Sequence, residues 1–168
     1  MENKFFKNCL FIIIIFVVGF FLIKNPSRPP LIKGGENPSD KGDIGGYSNI
    51  KYVKIAGQNV KVDLAMTRAE LMQGLSGRSG LRENEGMLFI FPESGRYTFW
   101  MKDMNFAIDI IWLTEDMKVV YIKKDARPES YPEMYGPESA SKYVLEVVSG
   151  FSGKNNLQAG DRVEFIYQ

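Results

Sequence analysis

Residues 108–123 have the sequence IDIIWLTEDMKVVYIK, in which two apolar runs flank a short polar turn. The first run ends at Leu113 and the second begins at Lys118. Between them, Thr114, Glu115 and Asp116 supply residue types that favour turns. The segment therefore predicts a β-hairpin, and it indicates a domain built mainly of strands.

Period-two patterns and turn signals continue on both sides of this hairpin. Six more segments are predicted strands: residues 51–55, 60–64, 87–91, 97–102, 143–148 and 162–167. The first two flank a turn at Gly57-Gln58-Asn59 and predict another hairpin. The next two flank a turn that begins at Pro92 and predict a third.

One short helix is expected after the first hairpin. Thr67 and Glu70 have the spacing of a capping box, in which each side chain accepts a hydrogen bond from the other residue's backbone N–H. Gly77 and Gly80 are expected to end this helix. A further helical turn is expected near Phe151.

The predicted fold class is α+β and mainly β. About eight strands are expected in a half-open barrel or sandwich, with one or two short helices. Residues 125–141 contain three prolines and two tyrosines, which predicts a long surface loop. Loops of that length are often functional.

The N-terminus predicts a membrane anchor followed by a linker. An unbroken apolar run extends from Cys9 to Ile23 behind Lys4 and Lys7, and no small-x-small cleavage pattern follows it. We predict an uncleaved anchor at residues 1–24, a disordered Pro/Gly-rich linker at 25–49 and one extracytoplasmic domain at 50–168. The alternative is a cleaved signal peptide.

Composition excludes several classes of chemistry. The chain has no histidine, and its one cysteine lies in the apolar run, so triads that use histidine and the usual zinc sites are excluded. The net charge of +1 predicts no nucleic-acid partner. Asp103, Asn105 and Asp109 offer oxygens to calcium, but the glycine and distal glutamate of a calcium loop are missing. No metal or cofactor is predicted.

A set of motifs resembles one known family. They are Thr67-x-x-Glu70, Gly74-Leu75 with Arg78 and Leu81, Glu85-Gly86-Met87-Leu88-Phe89, Phe99-Trp100-Met101-Lys102, Ile108-Asp109-Ile110, Tyr143-Val144-Leu145-Glu146 and Gly160-Asp161. Their order resembles that of the bacterial and archaeal family called domain of unknown function 192 (DUF192). The family commonly has Lys-Asn-Thr where this chain has Lys102-Asp103-Met104. The resemblance supplies no activity, although similar members are often exported or anchored.

The candidate site consists of polar and aromatic residues near predicted strand ends: Arg78, Glu85, Trp100, Lys102, Asp103, Asp109 and Glu146. The structural interpretation is that Asp109 pairs with Arg78 or Lys102. The functional interpretation is that Asp109 and either Glu146 or Glu85 form a carboxylate pair, which could hydrolyse a glycosidic bond without histidine. Trp100 could line an aromatic ligand groove or belong to the core.

The predicted function is that of a membrane-anchored, extracytoplasmic module that binds an envelope protein or glycan without catalysis. The membrane is a partner through the N-terminal helix, and the expected location is a single-pass protein of the cell membrane. The alternative is a histidine-free, carboxylate-based hydrolase of envelope polysaccharide.

Overall fold

A computed structural model describes residues 45–168 of the chain. The predicted anchor, the linker up to residue 44 and any cleavage site lie outside these residues. Among residues 45–168, no helix is both long and apolar enough to cross a membrane. Gly45–Tyr47 form a 3-10 turn, and the Tyr47 hydroxyl lies 3.0 Å from that of Tyr143. Tyr47 therefore packs on the domain although it falls within the predicted linker.

The described residues form one seven-stranded sheet with two short helices. The elements are β1 (Ile50–Ile55), β2 (Gln58–Ala65), α1 (Arg68–Gln73), β3 (Glu85–Gly95), β4 (Ile108–Leu113), β5 (Val119–Ala126), β6 (Ser141–Val148), α2 (Phe151–Lys154) and β7 (Val163–Tyr167). The strand order is β5-β4-β6-β3-β2-β1-β7. Every neighbouring pair is antiparallel except β2 and β3. The expected α+β, mainly β class is confirmed.

The sheet curves into a half-open barrel. Its edge strands, β5 and β7, approach each other only where β5 begins. There Lys118 and Arg162 form a single bridge, and the Val119 N–H donates to the Asp161 carbonyl at 2.9 Å. The rest of each edge stays unpaired with the other, so the barrel remains open.

Two of the three predicted hairpins are confirmed. The β4–β5 hairpin forms around Thr114, whose N–H donates to the Lys118 carbonyl at 2.8 Å. In the β1–β2 hairpin the turn lies at Ala56 and Gly57, one residue earlier than predicted, with φ values of 48° and 75°. Positive φ at both central residues is the geometry of the two-residue turn that matches the twist of paired strands.

The hairpin predicted between residues 87–91 and 97–102 is wrong. β3 pairs with β2 along one edge and with β6 along the other, so it has no free edge for a third strand. Residues 97–102 instead lie across the face of the sheet, and only Phe99 forms a bridge, with Tyr135. The described part of the chain therefore has seven strands where about eight were expected.

The predicted capping box of α1 is confirmed. The Thr67 hydroxyl accepts from the Glu70 N–H at 3.3 Å, and the Glu70 carboxylate accepts from the Thr67 N–H at 2.9 Å. The helix ends earlier than predicted, because Gly74 adopts φ 49° and its N–H donates to the Glu70 carbonyl. The helical turn expected near Phe151 is α2.

Both faces of the central strands are buried in apolar packing. The inner core lies inside the half-open barrel and takes residues from all seven strands and from α2. The outer core lies on the convex face, over β2 to β6, where Leu75, Met101 and Tyr135 cover it. Residues 125–141, predicted as a long loop, contain the end of β5, a 3-10 turn at Pro128–Ser130 and Tyr135 of the outer core.

Removal of the capping hydroxyl should destabilise the domain. In Thr67→Ala the Glu70 N–H loses its acceptor, which costs about 0.5 to 2 kcal/mol of unfolding free energy. Thermal and urea unfolding of the full-length chain in detergent measures this. Thr98→Ala, an exposed threonine outside any helix, is the matched control. Equal stability of Thr67→Ala and wild type would show that the cap contributes nothing.

Candidate functional site

Asp109 is a fully buried acid in the middle of the structure. Its side chain is 0 % exposed, and its carboxylate accepts three backbone hydrogen bonds. The N–H groups of Asp125 and Gly150 donate to one oxygen at 2.9 and 3.2 Å, and the Ser152 N–H donates to the other at 2.8 Å. Backbone donors therefore satisfy this carboxylate, so its role is structural.

The ion pairs expected for Asp109 are wrong. Arg78 pairs with Asp63 instead, at 2.7 Å between Nη1 and Oδ2. Lys102 lies 6.0 Å from the centre of the Trp100 ring. Asp109 instead joins a bulge of β5, where Asp125 has φ 49°, to the turn that enters α2. The Ser149 hydroxyl donates to the Asp125 carboxylate at 2.7 Å and closes the same network.

Asp109 and Glu146 point to opposite faces of the sheet. Glu146 is directly paired with Ile110, and directly paired residues share a face. Asp109 precedes Ile110 along β4, so its side chain points the other way. The sheet separates these two acids, and the proposed Asp109–Glu146 pair has no common cleft.

Glu146 is a buried acid in apolar surroundings. Its side chain is 5 % exposed, and its Oε2 atom makes no hydrogen bond with any residue from 45 to 168. Burial raises the pKa of Glu146 to about 8, against a smaller opposing effect of the Arg78 charge. The side chain is thus largely protonated at neutral pH.

Glu146 belongs to a row of side chains that crosses five strands on the outer face. In order from β2 to β5 the row is Asp63, Met87, Glu146, Ile110 and Lys123. Gly86 precedes Met87, and a Cβ atom there would lie 2.7 Å from the Glu146 carbonyl oxygen. A side chain at position 86 would therefore force β3 and β6 apart.

Two other predicted site residues, Arg78 and Glu85, lie near this row. Arg78 reaches it through its ion pair with Asp63. Glu85 lies on the same face of β3 as Met87, and it pairs with Arg82 at 3.5 Å. The structure therefore brings Arg78, Glu85 and Glu146 to one face and leaves Asp109 on the other.

Trp100, Lys102 and Asp103 lie in the segment that covers the outer face. This segment is tied to the loop after α1 by three hydrogen bonds, each 2.9 Å long. The Ser76 hydroxyl donates to the Lys102 carbonyl, the Gly77 N–H to the Asp103 carbonyl, and the Asn105 amide to the Arg78 carbonyl. The two loops therefore form one connected unit.

Trp100 and Tyr131 form an exposed aromatic pair. They are 38 % and 46 % exposed, with ring centres 5.6 Å apart at 63°. The neighbouring Phe99 points inward and packs edge-on against Phe89 and Trp112. Of the two aromatic residues at 99 and 100, only Phe99 packs into the core.

A cleft of about 360 Å³ beside α2 has no counterpart among the predicted site residues. Its lining comes from three separate chain segments, so no single motif marks it: Gln58, Asn59, Val60, Glu83, Asn84, Val148, Ser149, Gly150, Phe151, Lys154 and Asn155. The Lys154–Glu83 ion pair joins two of these segments at 2.8 Å. Residues 45–168 contain no group of three or more histidine, cysteine, aspartate or glutamate side chains that could hold a metal ion.

Replacement of Asp109 by asparagine should destabilise the fold. The amide has one acceptor oxygen and would turn an N–H₂ group toward a backbone donor, so about 2 to 4 kcal/mol should be lost. Urea unfolding of the full-length chain at neutral pH measures this. Asp161→Asn is the control, because that partly exposed carboxylate accepts a single backbone hydrogen bond from within residues 45–168, from the Gln158 N–H. An unchanged midpoint for Asp109→Asn would contradict the structural role.

Stability should fall as pH rises from about 5 to 8. The folded chain keeps the Glu146 proton up to about pH 8, whereas the unfolded chain releases it near the ordinary value of 4.5. Unfolding thus releases a proton in this range, and the unfolding free energy decreases with pH. Glu146→Gln, which stays neutral, should flatten this slope, whereas Glu164→Gln on the exposed Lys54 pair should not. Parallel pH profiles of wild type and Glu146→Gln would contradict the shifted pKa.

Solved structures that are similar to this chain include those of two proteins. A protein of unknown function from Novosphingobium aromaticivorans DSM 12444 is 30% identical, with a TM-score of 0.65 over 68% of this chain and 84% of that one. A putative transcription regulator from Sinorhizobium meliloti 1021 is 29% identical, with a TM-score of 0.62 over 64% and 83%. No curated protein gives a significant match.

The model of one protein family covers most of the folded part. This family, DUF192, is described as "Uncharacterized ACR", and its model matches residues 51–165. The match includes the capping box, both buried acids and the aromatic pair. The chain therefore belongs to the DUF192 family.

Proposed function

We propose that this protein is a membrane-anchored, extracytoplasmic module that binds a glycan of the cell envelope without catalysis. The ligand surface consists of Trp100, Tyr131 and Lys102. The exposed aromatic pair is the observation that supports this proposal, because it places two large rings in contact with each other at the surface. Their amphipathic rings suit the apolar faces of sugar rings.

The two chain segments that carry these rings are tied together before a ligand arrives. Phe99 and Tyr135 exchange two backbone hydrogen bonds of 2.8 Å, which tie the segment of Trp100 to the loop of Tyr131. The Tyr131 N–H also donates to the Pro128 carbonyl at 3.2 Å. A surface that is ordered in advance loses less conformational entropy when it binds.

The geometry favours binding over hydrolysis. A glycosidase of the usual kind needs two carboxyl groups about 5 to 9.5 Å apart across one cleft. Asp109 is occupied by three backbone donors, and Glu146 lies on the other face of the sheet. The acids of the hydrolase alternative therefore do not face a common substrate.

The role named for the Sinorhizobium meliloti relative finds no support in this chain. Transcription regulators that contact DNA use clustered basic side chains. Here 21 basic and 20 acidic residues are interspersed, and the net charge is +1. The anchoring part of our proposal comes from the N-terminal apolar run, which agrees with a ligand in the envelope.

Loss of the Trp100 ring should weaken glycan binding. Purified envelope polysaccharide and its soluble fragments are titrated into the full-length protein in detergent. Trp100→Ala removes one of the two rings that would pack on the sugar, so it should bind about tenfold more weakly or worse. A tenfold loss corresponds to about 1.4 kcal/mol of binding free energy. Tyr167→Ala, an exposed aromatic residue on the edge strand β7, is the control. Failure of wild type to bind polysaccharide, together with binding of a purified envelope protein, would contradict the glycan proposal.

Anchoring has its own test. Membranes from cells that express the full-length protein are washed with alkaline carbonate, and an intact anchor should keep the protein in the pellet with its N-terminus unchanged. A protease added from outside should cut the domain at residues 45–168 and leave cytoplasmic markers intact. Release of a soluble form that begins after Ile23 would contradict an uncleaved anchor.

A further inference from the structure

Arg78 forms an ion pair with one exposed carboxyl group, and its charge lowers the pKa of a second one that is buried. It pairs with Asp63, whose side chain is 60% exposed, at 2.7 Å. Asp63 and Glu146 stand in the same transverse row, separated only by Met87. Neighbouring strands are about 4.8 Å apart, so the two acids lie roughly 10 Å apart across the sheet. The Arg78 charge also acts on the Glu146 carboxyl.

We propose that Arg78 exchanges partners, pairing with Asp63 while Glu146 is protonated and with Glu146 once that carboxyl has lost its proton. The unpartnered, buried Oε2 atom of Glu146 is the acceptor that the guanidinium would fill. The exchange is thus a switch between two arrangements of one side chain.

The energetics favour this direction of exchange. An ionised, buried carboxylate without a partner is strongly destabilising, and a paired guanidinium with hydrogen bonds removes much of that cost. An exposed ion pair such as Arg78–Asp63 contributes little to stability, because water solvates Asp63 when the partner leaves. The ion pair of Arg78 with an ionised Glu146 therefore stabilises the domain more than the Arg78–Asp63 pair does.

The other charged groups of this face do not replace Arg78 as the partner of an ionised Glu146. Asp63 and Glu85 are acids and cannot pair with an ionised Glu146. Two further cations lie beside Glu85: Lys61 is opposite it on β2, and Arg82 forms an ion pair with it at 3.5 Å. Lys123, at the far end of the row, lies 4.2 Å from the centre of the Tyr135 ring and is already in a cation–π contact. Arg78 is not itself part of the row, but it reaches the row through Asp63, and this present partner is exposed.

The exchange should reach the aromatic surface through hydrogen bonds already described. Arg78 follows Ser76 and Gly77, which bond to the carbonyls of Lys102 and Asp103. The Arg78 carbonyl also accepts from the Asn105 amide, so we expect a shift of the Arg78 backbone that accompanies the exchange to displace the segment that contains Trp100. If the proposed glycan function is correct, ionisation of Glu146 would regulate that ligand surface, and this step alone rests on that function.

The test needs no ligand, so it is independent of the glycan proposal. Side-chain NMR of the full-length protein in detergent follows the carboxyl carbons of Asp63 and Glu146 and the Nε–H of Arg78 from pH 6 to 9.5. The chain has no histidine, so Cys9 and the terminal amine are the other groups with ordinary pKa values in this range. We expect all three signals to change together with a midpoint near pH 8.

Three variants and a control sharpen the result. Asp63→Asn frees Arg78 and should lower the Glu146 midpoint, whereas Arg78→Leu should raise it. Glu146→Gln should abolish the transition at Arg78 and Asp63, and Glu164→Gln should leave it unchanged. Far-UV circular dichroism confirms that each variant is folded.

Trp100 fluorescence, recorded over the same pH range, reports on the aromatic surface, and Trp112 is the buried second tryptophan. A transition at Glu146 without any change at Asp63 and Arg78 would overturn the exchange. An exchange without a change in Trp100 fluorescence would overturn its link to the aromatic surface. Loss of glycan binding in every sample would contradict only the proposed function.

Discussion

Three backbone N–H groups around the Asp109 carboxylate are the constraint on which the rest of the fold depends. They belong to the bulge of β5 and to the turn that enters α2, which are otherwise separate parts of the chain. An acid at this depth is stable only when such donors replace water. By fixing the bulge, Asp109 also fixes the register of β4 and β5, and hence which β4 residues point outward.

The outward residues of β4 explain why the sheet needs a cover. Ile108, Ile110 and Trp112 point away from the barrel interior and are fully buried all the same. Residues 97–107 bury them by lying across the sheet, and the Trp112 ring N–H donates to the Tyr97 carbonyl at 2.8 Å. Trp100 is left outside because Phe99 takes the inward position before it.

Local patterns in the sequence predicted the parts of the fold that depend on neighbouring residues. The capping box at Thr67 and the turns at Gly57 and Thr114 were predicted because their hydrogen bonds join residues that are only a few positions apart in the sequence. The strand at residues 97–102 was predicted wrongly, since its alternating pattern also fits a segment that covers a sheet. Whether β3 has a free edge depends on pairing with β6, which lies far along the chain.

In the candidate site, too, the sequence identified residue types, whereas their contacts depend on strand pairing between distant parts of the chain. Sequence singled out Asp109, Glu146 and Arg78 as residue types, but pairing among them depends on which face of the sheet each one occupies. In the β4–β6 register Glu146 is opposite Ile110, the residue after Asp109. Because of this one-residue offset the two acids lie on opposite faces, and Asp109 accepts hydrogen bonds whereas the Oε2 atom of Glu146 accepts none from the described residues. A satisfied acid stabilises one arrangement of the chain, whereas an acid that lacks a partner has a second arrangement available when its charge changes. The outer face, where Glu146 lies beneath the loops of Arg78 and Trp100, is therefore the part of this domain in which a change of protonation can change shape.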